Sequence, residues 1–358
     1  MPGTTGPFRC GGLLVELQTA KLVGKLRPVE VVTYRQRETD HPFLDDLLDR
    51  ESAPGQALWI VSWGFDVPAL LRRLRGRSVA YHAHSGSYGF NLPAGVPLLA
   101  VSRNTLGYWG DRAPRNPLFL VPNALDPRWL RPGSATVPWS DPRRQPPLGG
   151  AAVGAGSRRQ GTSARPVDVL VQKRKSSRYV LEVLVPALRQ QGLRVEVQSG
   201  WVDDLVDLFR SATVVLYDSA DYWRGRGVSE GFGLPPLEAL ASGCVVFSSL
   251  NHALADGLDP GLVGHQIGCG CLTTDLDRIL DAVADPAAWR AQPQRLAALL
   301  EEGSEASLAQ RWQRHLALID RHWSLLHAGA DVPLQSPPGW RLQLEQRLVR
   351  LRRWLSRG

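Results

Sequence analysis

The sequence is poor in the features that mark membrane-spanning, disulfide-stapled or disordered proteins. It holds no run near the roughly 18 apolar residues that a membrane-crossing helix needs, and no basic-then-apolar leader opens it, so a cytoplasmic setting is expected. Four cysteines (Cys10, Cys244, Cys269, Cys271) are too few and too scattered for a disulfide framework. Cys269 and Cys271 form a Cys-x-Cys pair near His265, but no second pair completes a zinc site. A turn among small residues is expected there, and no metal site. Charged residues make up 21% of the chain against 43% hydrophobic, which excludes chain-wide disorder. The net charge of +8 is mostly arginine spread along the chain. No basic-aromatic recognition motif accompanies it, so nucleic acid is not an expected partner. Small anionic ligands and a lipid surface remain open.

At 358 residues the chain is too long for one ordinary core and suits two α/β domains. The first half alternates helix-like and strand-like segments: a helix over Leu13 to Val23, strands over Val29 to Tyr34 and Leu58 to Trp63, a helix over Ala69 to Leu74. Strands over Ser78 to His82, Pro97 to Ser102 and Phe119 to Pro122 follow. Continuous apolar runs separated by helices indicate parallel strands covered on both faces. From 126 to 165 prolines and glycines accumulate in a stretch that cannot build a core, expected to be a partly disordered linker. Alternation resumes with strands over Val167 to Val171, Leu193 to Gln198, Val214 to Tyr217 and Val245 to Ser248, joined by helices. The expected division is therefore 1–125, linker 126–165, second domain 166–330 and a basic amphipathic helix over 331–358. The expected fold class is α/β: two Rossmann-like, doubly wound domains facing across a cleft.

The most informative stretch runs from Ser229 to Gly243 and turns from a strand end into a helix. Gly231 and Gly233 let backbone N–H groups approach a ligand closely. Pro236 suits a first helical turn, and a helix N-terminus facing a cleft is a natural diphosphate site. Glu230 and Glu238 have seven residues between them; neither would bind a phosphate, but each carboxylate can accept two adjacent sugar hydroxyls. A dipole-favoured acid explains Glu238 alone, but not the lead-in Gly231-Phe232-Gly233-Leu234 with a second glutamate before it.

This pattern resembles the Glu-x7-Glu signature of the "family four" retaining glycosyltransferases, whose fold is called GT-B. The resemblance implies that Glu230 contacts the transferred sugar and Glu238 the ribose of a nucleotide. Gly231, Phe232, Gly233 and Leu234 would then line the donor site. In the second domain, the first strand ends in Gln172-Lys173-Arg174-Lys175-Ser176-Ser177-Arg178, where basic residues would meet a diphosphate. Family members hold the diphosphate with an arginine and a lysine in this turn. Arg174 and Lys175 take those roles here, with Lys173 and Arg178 as substitutes.

Gly11-Gly12, followed by a helix, is similar to the family's glycine-rich first loop beside the donor phosphates. A strand should precede it, and Met1 to Arg9 has none. Either the reading frame begins too late or the first sheet has lost its central strand. Tyr81-His82-Ala83-His84 ends a strand where the family often has a histidine bonding the donor sugar, and His84, further into the loop, is preferred over His82. Val121-Pro122-Asn123 resembles the family's strand-to-linker segment. Trp201 stands where the family contacts the nucleobase and either stacks on a base or packs between helices. Asp221 to Gly227 reads as an insertion-like exposed loop.

In the tail, Trp340, Leu344, Leu348, Leu351 and Leu355 form one helical stripe among six arginines and one acid. Such a helix either docks on its own domain or makes peripheral contact with an anionic membrane. The resemblance implies a metal-independent hexosyltransferase that needs no cofactor. It takes a nucleotide-diphosphate sugar as donor, a glycan or lipid-linked molecule as acceptor, and front-face displacement as its chemistry. A catalytically silent nucleotide-sugar-binding protein, a nucleotide-sugar epimerase of the same fold and a membrane-adhering scaffold are the competing readings.

Overall fold

The computed structural model describes residues 1–8, 10–50, 57–62, 64–130, 165–200 and 202–355. They form two α/β lobes, each around a parallel sheet. In the first lobe β1 (Leu58–Val61), β2 (Ser78–Ala83), β3 (Leu98–Ala100) and β4 (Leu118–Leu120) lie side by side in chain order. Alternate residues serve opposite faces, as the strand period of two requires. Val79, Tyr81 and Leu98 enter one core, while Ala80, Leu99 and Val121 enter the other.

The second lobe pairs β5 (Val167–Gln172), β6 (Val195–Gln198), β7 (Ala212–Tyr217), β8 (Val245–Ser248) and β9 (His265–Gln266) in the order β6-β5-β7-β8-β9. All are parallel, and every residue of β7 is buried. The order reverses at β5, so a crevice opens beyond the carboxyl ends of β5 and β7. The basic turn follows β5, and Glu230 is reached from β7. That places both at the crevice.

Three expectations need correction. Val29 to Tyr34 is not a sheet strand. Its backbone instead bonds Met1 on one side, and Pro42 and Leu44 on the other. The physical reason is the missing neighbour: among the described residues no strand precedes Gly11, so nothing joins this segment to β1. Second, Asp221 to Gly227 is not a loop; the helix Ala220–Arg226 fills it and ends at Gly227 in the left-handed region, φ 65°. Third, the helix expected from Pro236 begins at Leu234, with both prolines in its first turn. Glu238 therefore stands in the second turn rather than the first.

Of the expected linker, residues 131–164 lie outside the described residues; Pro127–Leu130 is a short helix. The chain crosses to the second lobe at Leu125, which packs in that lobe's core and whose N–H donates to the Gly303 carbonyl at 2.8 Å. The chain then returns: in the helix Glu305–His327, Leu308, Trp312, Leu316 and Ile319 face the first sheet and join its core. The stretch 166–330 thus lends its last long helix to the first lobe, where it covers that face of the sheet together with Leu22 and Val23. The helix Gly339–Leu355 has no buried residue.

Candidate active site

The crevice is built around Glu230, which is 4% exposed. Its Oε2 accepts the Tyr217 hydroxyl at 2.8 Å, the Ser219 hydroxyl at 3.2 Å and the Trp223 indole N–H at 2.6 Å. Its Oε1 accepts the Lys175 ammonium at 3.3 Å. Burial, and then the nearby Glu230 charge, push the Tyr217 hydroxyl well above its ordinary value, which keeps it a donor. A buried carboxylate needs such partners, since an unpaired charge there is costly.

Lys175 reaches Glu230 because its backbone takes the left-handed conformation, φ 73°, at the tip of the basic turn. That is a strained state for a side chain larger than glycine and is held by its surroundings. Its ammonium also lies 4.5 Å over the Trp223 ring. Lys173 and Arg174 are exposed on the same turn, and Arg178 pairs with Glu182 on the helix side. The turn brings one cation of the four into the pocket.

Gly231 and Gly233 are required by geometry. A Cβ on Gly231 would sit 1.4 Å from the carbonyl oxygen of His84 in the other lobe. Gly233 caps the helix Leu234–Ala241 at φ 83°, with Leu254 where its Cβ would be. Beside them, Ser85 donates to the Ser229 carbonyl at 2.6 Å, and the Gly86 N–H donates to the Ser229 hydroxyl at 2.8 Å. The two lobes therefore touch at the glutamate loop itself. Phe232 and Leu234 pack on the second-lobe core. Phe232 also lines an apolar cleft with Pro236, Leu237, Val101 and Pro122. Glu238 is not part of that cleft.

Glu238 is half-buried, and no described group donates a hydrogen bond to it. Burial, and then the Asp126 charge, push its carboxyl up to about 7. Its charge acts on Tyr217, the partner of Glu230. Among the described residues it is an acceptor without a donor, whereas Glu230 has four.

From the first lobe, Gly11 and Gly12 are exposed at the start of the helix Gly11–Val23, and a Cβ on either would meet nothing within 4 Å. One turn on, Glu16 is buried and its Oε1 lies 2.7 Å from His82 Nδ1 and 2.5 Å from His84 Nε2. Burial raises the Glu16 carboxyl, but the two imidazoles outweigh it and hold it well below the usual range. Burial, first, lowers His82.

Among the described residues these three are the one group whose ligand atoms lie close enough, within 4.8 Å, to share a metal ion. Their closest approaches are hydrogen-bond lengths. A tetrahedral zinc with bonds of about 2.0–2.1 Å would need the atoms about 3.3 Å apart. The group is closed on itself as a hydrogen-bonded cluster. Sequence reasoning missed Glu16 and Trp223. Glu16 was legible as an acid on the apolar face of a helix beginning at Gly11-Gly12, whereas Trp223 carried no such signal. Trp201 lies outside the described residues.

No protein-family model matches the sequence, and no curated protein sequence matches it. Solved structures do. Sucrose-phosphate synthase from Thermosynechococcus elongatus shares 12% identity over 87% of this chain and 94% of its own, with a TM-score of 0.56. HepE of Anabaena in complex with UDP-glucose shares 13% over 88% and 98%, at 0.57. The lipopolysaccharide outer core galactosyltransferase WaaB, in its apo form, shares 13% over 88% and 97%, at 0.54. The fold is GT-B. At these identities the likeness is one of fold, and in the GT-B frame the crevice described above is the cleft between the two Rossmann-like lobes.

Proposed function

We propose that this chain is a retaining glycosyltransferase that moves a hexose from a nucleotide-diphosphate sugar to a glycan or lipid-linked acceptor. The observation that carries the reading is the pairing of Glu230 and Glu238. One carboxylate fixes a lysine at the crevice, and the other has no donor among the described residues, where a diol would supply two. The GT-B neighbours HepE and WaaB support a nucleotide-sugar substrate, the first by its UDP-glucose complex and the second by its name.

In this reading Glu238 accepts the ribose hydroxyls, and the Glu230 region receives the sugar with His84 opposite. Lys175, Arg174 and the backbone N–H groups at Gly11, Gly12 and Gly231 to Leu234 stabilise the leaving diphosphate. The acceptor hydroxyl attacks on the face the diphosphate leaves. The C–O bond to the diphosphate breaks as the new glycosidic bond forms, and the departing phosphate oxygen takes the hydroxyl proton. Fixed cations supply the charge, so the step calls for neither metal nor cofactor.

The exposed helix Gly339–Leu355 favours peripheral contact with an anionic membrane. It carries Arg341, Arg347, Arg350, Arg352 and Arg353 around the stripe of Trp340, Leu344, Leu348, Leu351 and Leu355, all exposed. Such contact would hold the cleft near a lipid-linked acceptor. No described helix is long and apolar enough to cross a membrane.

A thermal-shift screen against UDP-, GDP- and ADP-sugars tests the donor, since a tight ligand raises the melting point. Proton NMR of the product formed from the donor that binds then reads the anomer. Inversion, or no stabilisation by any donor, would remove the proposal.

A further inference from the structure

The helix Ala220–Arg226 interrupts the path from β7 to Glu230, and one side chain on it reaches into the site. Trp223 covers both members of the Glu230–Lys175 pair at once. Its indole N–H makes the shortest bond to the carboxylate, 2.6 Å, and its face carries the ammonium at 4.5 Å. In this state the oxygen that a sugar hydroxyl would meet is taken.

We propose that Trp223 is a gate: the sugar of the bound donor replaces the indole at Glu230 Oε2, and Lys175 is released to the diphosphate as the ring withdraws. This rests on the donor reading given above and extends it to what opens the site.

Three observations carry the exchange. First, Oε2 accepts three donors, whereas a carboxylate oxygen offers about two lone-pair directions. Tyr217 and Ser219 keep that oxygen satisfied when the indole leaves. Second, the helix itself has no buried residue. The side-chain bonds of Asp221 and Arg224, and the stacking of Arg226 on Tyr222, stay within it. Moving it opens no hydrophobic core. Third, it ends at Gly227 in a left-handed conformation, and at both Gly225 and Gly227 a Cβ would meet nothing within 4 Å. The backbone there has room to turn.

The gate distinguishes ligands by chemistry. A nucleoside diphosphate has no hexose hydroxyl to compete with the indole, whereas a nucleotide sugar does. The closed state also keeps Glu230 and Lys175 out of reach when the sugar is absent.

Trp223→Phe keeps the ring for Lys175 and deletes the N–H. Isothermal calorimetry is run with UDP, GDP and ADP, and with UDP-glucose, GDP-mannose and ADP-glucose, and the pair that binds the wild type is carried forward. The expected result is about tenfold tighter binding of the nucleotide sugar, the scale of one neutral hydrogen bond, with nucleoside-diphosphate affinity unchanged. Ser219→Ala removes a supporting donor from the same oxygen and should weaken nucleotide-sugar binding instead. Equal changes for both ligands, or weaker sugar binding in Trp223→Phe, would overturn the gate while leaving the donor reading intact. No binding of any of the six by wild type or variants would overturn both.

Discussion

Gly231 lies flat against the carbonyl oxygen of His84, with no room for a methyl group between the lobes. Gly231→Ala is therefore expected to force them apart. Overpacking of this kind costs about 1–3 kcal/mol, so donor affinity should fall about tenfold or more. Each lobe should keep its circular dichroism while small-angle scattering shows a larger radius. Wild-type affinity with an unchanged scattering curve would refute the tight seam.

Loss of Glu230 or of a cation of the turn after β5 should act on turnover. Glu230→Ala, Lys175→Ala and Arg174→Ala are each expected to lower kcat by about a hundredfold, the scale of one lost electrostatic contact in a transition state. Of the three, Glu230→Ala removes the anchor for Tyr217, Ser219, Trp223 and Lys175 together. A steady-state assay with the protein shown folded decides it, and any residue whose variant keeps near-normal rate leaves the site.

The Glu16 cluster predicts a loss of stability with a definite pH dependence. Glu16→Gln leaves two imidazoles sharing a neutral amide and should cost about 1–3 kcal/mol in urea unfolding at neutral pH. The folded carboxyl is held below its ordinary value. Its contribution is thus present above the unfolded pKa and lost as pH falls below it. Wild type and variant should converge in acid; a gap that persisted or widened there would contradict the cluster.

Glu238 predicts the opposite slope. Its carboxyl, raised from 4.5 to about 7, favours folding below its ordinary value, and that contribution is lost as pH rises through 7. Glu238→Gln should melt with the wild type near pH 5 and be more stable near pH 8, by about 1–2 kcal/mol after discounting for partial exposure. Donor binding should move the other way. The wild type gains affinity as Glu238 ionises, and the variant does not. Parallel melting curves from pH 5 to 8 would argue against a raised carboxyl.

The terminal helix predicts salt-sensitive adhesion. The full chain should sediment with phosphatidylserine vesicles at low salt, and much less with phosphatidylcholine or at 0.5 M salt, since about 1 kcal/mol is gained per arginine near an anionic surface. Replacing Arg347, Arg350, Arg352 and Arg353 with alanine should abolish it without changing donor affinity. Equal sedimentation of wild type and variant would place adhesion elsewhere.

Much of the fold was legible because parallel strands buried on both faces read as plain apolar runs; Val245 to Ser248 is a strand over its full expected length. Val29 to Tyr34 reads the same way, yet periodicity does not report whether a neighbouring strand exists to pair with. The glutamate loop was legible because Gly231 and Gly233 answer to steric demands that leave a mark in sequence. Lys175 was singled out together with Arg174, but which of the two enters the pocket was not legible, since that choice lies in one backbone dihedral. Trp223 was hidden for another reason: its helix is short, exposed and arginine-bearing, and its role depends on a contact seven residues away in the chain that no spacing rule describes.

The helix Glu305–His327 has a consequence for how the molecule is made. Leu308, Trp312, Leu316 and Ile319 leave the ribosome after every strand of both sheets, yet they seal the sheet that emerged first. The early lobe must wait, one apolar face open, until the later lobe has been synthesised. Chains halted before about residue 305 should hence be the form that chaperones retain, and a fragment ending at Leu125 would lack the cover it needs to stand alone.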